Sequence, residues 1–273
     1  MLIWIIAIVC IVLGVLLFLT APGRASREQR RLLDGRNIAH RGLYSEDGSV
    51  PENSLPAFRN AVMNGYGIEL DVRLSADGEV IVFHDDRLSR LCSAEGAVDE
   101  RTYAELGELP LGGTAERIPL LRDVLAVIAR REPLVIELKR CDRWEELCAK
   151  TRDILDEYRG PVCVESFDPR MVRWFRKHAP RILRGQLTAP MRELGGAFDP
   201  LDAFVVSRCL ADFYGRPQFI AYRIGPRSPL VRLACGLGAL RVAWVSHDWS
   251  EEERADAVIF EHYRPRRRFR KST

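Results

Sequence analysis

The seven cysteines of this chain, at 10, 92, 141, 148, 163, 209 and 235, include no Cys-x-x-Cys pair and no zinc-ligand spacing. That absence excludes a zinc ribbon or a dithiol redox site. Thiols embedded in apolar surroundings, such as Cys163 in Pro-Val-Cys-Val-Glu, read as core residues of a protein kept in a reducing compartment. No internal repeat or low-complexity tract is visible in the 273 residues, which excludes a solenoid or repeat array. Residues 1–20 lack any charged side chain, and the first charge is Arg24. At ~1.5 Å per residue such a helix spans ~30 Å, the thickness of a bilayer core, and Trp4 stands where an interfacial aromatic is useful.

The formal net charge of +3 conceals an uneven distribution. Residues 22–36 carry five arginines against Glu28 and Asp34, and residues 262–273 carry five arginines and Lys271 with no acid, so the remaining body is acidic. A nucleic-acid-binding domain would carry its basic patch on the fold, and this chain does not. The basic flank follows the apolar run. A secretory signal carries its positive charge before that run, so a membrane anchor is favoured over cleavage near Ala25. By the positive-inside rule the body is then expected on the cytoplasmic side. The expected organisation is an anchor over 1–21, a basic linker over 22–36, one catalytic body over 37–262 and a basic tail over 263–273.

Within the body, apolar strands alternate with amphipathic helices. Eight candidate strands fall at 37–40, 67–72, 80–84, 134–139, 162–166, 182–187, 218–222 and 242–245. Helices are expected over 55–64 (Ser54 as N-cap, Gly65 as stop), 120–131 and 200–214. Eight short strands separated by helices, in a body of this length, fit one α/β TIM (β/α)8 barrel after the N-terminal transmembrane helix. The longest connection, from 85 to about 131, is the natural cover for a site.

Chemistry concentrates between Ile38 and Arg90. His40-Arg41-Gly42, Pro51-Glu52-Asn53-Ser54, Glu69-Leu70-Asp71 and His84-Asp85 follow one another at or near the ends of candidate strands. Carboxylates two apart on a strand share a face, so Glu69 and Asp71 point into the barrel with Glu137 from a neighbouring strand. Three like charges in one mouth require a cation, and hard oxygen ligands select Mg2+ or Ca2+, with Mn2+ also admissible. An imidazole titrates near neutrality, so His40 and His84 are the candidates for proton transfer. Arg41 offers a planar fork to phosphate oxygens, and Lys139 a point charge that also offsets the carboxylates. Glu52 and Asn53 read equally well as supports of metal and ligand or as part of a helix cap. Ser166 sits at a strand end, and Trp244 reads equally as pocket wall or barrel core.

These residues carry a resemblance. His-Arg-Gly at 40–42, Glu-Asn-Ser at 52–54, Glu-Leu-Asp-Val at 69–72, Asp-Gly at 77–78, His-Asp at 84–85 and Leu-Ser-Arg at 88–90 resemble the glycerophosphodiester phosphodiesterase family. Ile-Pro at 118–119, Glu-Leu-Lys at 137–139, Glu-Ser-Phe at 165–167 and Trp244 follow in the same order. The resemblance covers about residues 37 to 262 and implies metal-dependent hydrolysis of glycerophosphodiesters to glycerol phosphate and an alcohol, with the metal carboxylates at Glu69, Asp71 and Glu137. Lysophospholipase D-type cleavage of a lysolipid at the membrane is the alternative substrate reading. A catalytically silent membrane protein that binds phosphorylated head groups is the alternative of another class, disfavoured by the intact set of acids, histidines and cations. The chain departs from the family late, where Trp-Thr and a nearby Asn give way to Trp244, Val245, Ser246 and His247.

Overall fold

The computed structural model describes residues 1–196 and 198–269. Among the described residues, nine strands form one sheet: β1 Arg36–Ala39, β2 Gly67–Leu74, β3 Val80–Val82, β4 Leu134–Leu138, β5 Val162–Ser166, β6 Leu183–Thr188, β7 Phe219–Arg223, β8 Leu240–Ser246 and β9 Ala257–Phe260. All neighbours are parallel except β2 and β3. The order β1-β9-β8-β7-β6-β5-β4-β2 closes through β1 against β2, giving the eight-stranded parallel TIM barrel. Helices cover its outside, so barrel strands read as nearly unbroken apolar runs rather than alternating ones.

The eight barrel strands are not the eight expected. The stretch at 80–84 yields β3, an antiparallel partner of β2 outside the barrel. Only five residues separate Leu74 from Val80, too few for a parallel crossover. A tight turn joins them instead, with Gly78 at φ 81° and its N–H bonded to the Ser75 carbonyl at 3.0 Å. The missing barrel strand is β9, the short run Ala-Val-Ile-Phe, which pairs with both β8 and β1.

Helix α1 is Leu2–Thr20, α2 is Arg27–Leu33 and α3 is Leu55–Asn64. The expected caps of α3 are present. Ser54 Oγ accepts from the Ala57 N–H at 3.3 Å, a contact worth about 1 kcal/mol, and Gly65 closes the helix at φ 70°. The expected helix over 200–214 is split into Pro200–Ser207 and Asp212–Gly215. Phe58, Phe175, Phe219 and Phe260 are fully buried, each contributing roughly 1.5–3 kcal/mol of apolar burial. Gly185 makes room for one of them, since a Cβ there would lie 2.1 Å from the Phe219 ring. The connection after β3 builds a small core of its own around Phe83, Leu88, Val98 and Leu106.

Both chain ends meet the barrel at its floor, the N-terminal end of the strands. Helix α1 is long and apolar enough to cross a membrane, and only its last turn is packed, with Phe18 against Phe213 at 5.4 Å. Beyond it, Arg216 Nη1 donates to the Ala21 carbonyl at 2.8 Å and Gly23 N–H to the Pro217 carbonyl at 2.8 Å. Helix α2 follows, closed by a Ser26–Gln29 capping box. At the other end, the expected basic tail is partly built into the fold. It descends beside β1, with Tyr66 Oη donating to the Pro265 carbonyl at 2.5 Å and Phe269 N–H reaching the Gly35 carbonyl at 3.0 Å. The rest of that tail, including Arg270 and Lys271, lies outside the described residues.

Candidate active site

The opposite end of the barrel is its mouth, where strand ends deliver the polar side chains. His40 follows β1, its N–H held by the Phe260 carbonyl at 3.0 Å. Arg41 and Gly42 then turn through left-handed conformations at φ 53° and 79°, a position that costs an arginine strain of order 1 kcal/mol or more. The turn aims the Arg41 N–H at Glu69 Oε2, 2.9 Å away. Its guanidinium reaches Glu52 at 2.8 Å and lies 3.5 Å from Asp71. Asn53, also left-handed at φ 54°, is fully buried and donates from Nδ2 to Asp71 Oδ2 at 2.8 Å. Ser54 therefore serves as the helix cap and Asn53 orients the carboxylate. Glu52 is clamped between two arginines, with Arg90 Nη2 at 2.7 Å, outside the carboxylate group.

Glu69, Asp71 and Glu137 come together as expected, with oxygens all within 4.8 Å of one another. Strand register places Asp71 opposite Glu137, and Glu137 opposite Glu165. Lys139 Nζ sits 2.8 Å from Glu137 and 3.3 Å from Asp71. Four buried carboxylates thus face two cations, Arg41 and Lys139. Burial and the surrounding carboxylates push Glu69 and Glu165 well above the usual range, and burial raises Glu137 as well. For Asp71, burial is outweighed by Lys139, His84 and Arg41, which hold it well below. Glu69 Oε1 and both Glu165 oxygens have no hydrogen-bond partner. Orphaned buried oxygens are costly, and a hard divalent cation would satisfy them.

The two expected histidines flank this group and each has its own carboxylate. His40 Nδ1 lies 2.6 Å from Glu261 Oε2, and its Nε2 lies 3.9 Å from Glu69. Burial pushes His40 below its ordinary value against the pull of Glu261. Glu261 in turn is brought down to about 2, burial being outweighed by the hydrogen bond from His40. His84 Nδ1 lies 2.7 Å from Asp85. Asp85 also accepts from Arg90 Nε at 2.6 Å, so Arg90 ties the two acids Glu52 and Asp85 across the rim. His178 sits far from this set, at the exposed end of the helix Pro169–His178.

Trp244 is buried among the hydrophobic side chains next to the mouth, edge-on to His40 at 6.3 Å and to Phe167 at 5.5 Å, with its indole N–H unpartnered. The next residue, Val245, is held at φ 57° where the ladder slips, an outlier for a β-branched side chain. Ser166 is spent on backbone: its hydroxyl donates to the Leu138 carbonyl at 2.8 Å and accepts from the Asp168 N–H at 3.1 Å. Sequence reasoning assigned no role to Glu165, Glu261, Asp85 or Arg90. Glu165 was readable from the alternation in Val-Cys-Val-Glu, which matches Glu137 one strand away. Glu261 required β9 to be recognised first.

A parallel eight-stranded barrel whose mouth gathers buried acids, two fixed cations and two imidazoles belongs to the class of TIM barrels equipped for phosphorylated ligands. The chain is a member of the glycerophosphoryl diester phosphodiesterase family, whose profile matches residues 40–197. Bacillus subtilis YhdW is 36% identical over 162 residues, covering 56% of this chain and 65% of that protein. A glycerophosphodiester phosphodiesterase of Bacillus altitudinis is 35% identical over 163 residues, 55% of this chain and 65% of the relative. The matched stretch thus spans about two thirds of those relatives' length. Among solved structures, a phosphodiesterase of Oleispira antarctica in complex with the product sn-glycerol-3-phosphate superposes with a TM-score of 0.68 at 25% identity, covering 85% of this chain and 94% of that one.

Proposed function

We propose that this protein hydrolyses glycerophosphodiesters to glycerol phosphate and an alcohol. The observation that carries the reading is the buried group Glu69, Asp71 and Glu137, with an orphaned oxygen on Glu69, beside Arg41, Lys139 and two carboxylate-backed imidazoles. These three acids would hold one divalent cation, Mg2+ or Ca2+ with Mn2+ admissible, which when bound polarises a phosphoryl oxygen. Arg41 and Lys139 bind and neutralise the phosphodiester. His40 and His84 divide the proton work. One takes a proton from the attacking oxygen, of water or of the neighbouring glycerol hydroxyl, and the other returns one to the departing alcohol oxygen as its bond to phosphorus breaks. Attack by the glycerol hydroxyl gives a cyclic glycerol phosphate that water then opens. Glu52 and Asn53 hold Arg41 and Asp71 in place, and Trp244 walls the alcohol side.

The anchor bears on the substrate. We place α1 across a membrane as a single span, with the catalytic body on the cytoplasmic side. The arginine-rich flank after α1 and seven free thiols support that side, and the basic residues at the floor suit an anionic leaflet. Lysophospholipase D-type cleavage needs the mouth at the lipid, whereas α1 joins the barrel at the floor, so water-soluble diesters are favoured. A substrate panel in defined metals decides: glycerophosphocholine and glycerophosphoethanolamine should be cleaved faster than lysophospholipids. A preference for lysophospholipids would overturn the substrate, and no cleavage of either would overturn the hydrolytic reading.

A further inference from the structure

At the rim of the mouth, outside the barrel carboxylates, a second set of ligand atoms converges. His247 Nε2 lies 2.9 Å from Glu261 Oε1, and His262 Nε2 lies 3.7 Å from that same oxygen. The three ligand atoms fall within 4.8 Å of one another. We infer that His247, Glu261 and His262 form a second metal site, for a zinc-class late transition-metal ion. The chemistry differs from that of the barrel group. Two imidazoles and one carboxylate select Zn2+, Co2+, Ni2+ or Cu2+, while Mg2+ and Ca2+ prefer all-oxygen sets. Three protein ligands with a fourth position open to water is the pattern of an accessible zinc site.

Two further observations separate this set from a chance meeting of surface histidines. Two of the three ligands are held from behind. His262 Nδ1 lies 3.1 Å from Glu46 Oε1, the carboxylate–histidine arrangement that fixes a ligand's tautomer and ring orientation. Glu261 is held through its other oxygen by His40 Nδ1 at 2.6 Å. The backbone is fixed as well: His247 follows β8, Glu261 follows β9, and the Glu261 N–H bonds the Ser246 carbonyl at 2.9 Å. The imidazole planes meet at 64° with centroids 5.4 Å apart, so they converge without stacking. A cleft of about 390 Å³ between the 42–47 and 260–264 loops gives an ion access to Glu261 and His262.

The inference does not depend on the hydrolytic reading, and its test reads metal directly. Full-length, tag-free protein is given excess Mg2+ to fill the carboxylate site and then titrated with Co2+. One equivalent should bind with the visible absorption of a low-coordinate Co2+ ion and be displaced stoichiometrically by Zn2+. Both signals should be lost in H247A/H262A, whose circular dichroism and Tm should match the parent because both rings are about half exposed. Absence of Co2+ binding under excess Mg2+, or an unchanged spectrum in the double variant, overturns the site. So does a Co2+ signal that disappears in E69Q while surviving in H247A/H262A.

Discussion

At the floor of the barrel Arg184 is buried, and each of its three guanidinium nitrogens finds a neutral acceptor: the Gly215 carbonyl at 3.2 Å, Gln218 Oε1 at 3.2 Å and the Arg216 carbonyl at 3.0 Å. At the mouth Glu69 and Glu165 are at least as buried, yet each keeps an oxygen with no partner. Both ends bury charge in the same barrel. At the floor, burial lowers the Arg184 pKa to about 10, and the chain supplies every contact the group makes. At the mouth, the chain leaves contacts open. The first arrangement fixes a structure, and the second is the one for which a metal is proposed.

Substitutions at the two ends should therefore be felt in different measurements. The largest effect is expected from Glu69→Gln or Asp71→Asn, which should lower kcat/KM on glycerophosphocholine by on the order of 10³-fold, several kcal/mol of transition-state stabilisation. Excess chelator should do the same to the parent protein. Full activity in chelator would mean that the orphaned oxygens are no metal site. Next, His40→Ala and His84→Ala should each cost ~10²–10⁴-fold in kcat, while His178→Ala should leave kcat unchanged. Equal losses at His84 and His178 would refute the assignment by strand-end position.

At the floor, Arg184→Met should cost roughly 2–3 kcal/mol of stability, the worth of charge-assisted hydrogen bonds and of the carbonyls left bare. It should appear as a lower midpoint in urea, with kcat/KM of the folded protein unchanged. A drop in kcat/KM without a stability loss would erase the distinction between the two ends. The smallest effect is expected at Glu165. Burial and the adjacent Glu137 push this carboxyl above its usual range, and it lies outside the trio Glu69, Asp71 and Glu137, so Glu165→Gln removes none of the proposed metal ligands. Turnover should stay within about threefold, under 1 kcal/mol. A larger loss would place Glu165 among the charged ligands.

The mouth was far more legible in sequence than the floor. His40, His84 and Glu137 stand at or beside strand ends, and Glu69 and Asp71 within β2, all in short motifs where polar residues interrupt apolar runs. Arg184 sits in Arg-Ile-Leu-Arg-Gly, a pattern shared by any surface turn, and its burial depends on carbonyls 31 and 32 residues away in sequence. The last quarter was hardest. Strand β9 has four residues, too short for periodicity to distinguish it from the end of a helix, and Glu261 was lost with it. The stretch at 80–84 reads as barrel because its alternation suits any half-buried strand. The brevity of the turn before it, rather than its composition, reveals the hairpin.

The attachment of α1 at the floor sets how far the mouth stands from any bilayer that α1 crosses. Strand β2 has eight residues, which at ~3.3 Å per residue and a barrel tilt of ~36° give a height of about 20 Å. The Debye length at physiological salt is ~8 Å. An anionic leaflet repels anionic solutes and thins their population close to its surface, but at this height its potential has decayed to about a tenth. With α1 across such a bilayer, the barrel would act as a spacer: an anionic solute would meet the mouth at nearly its bulk concentration, although the leaflet itself excludes it.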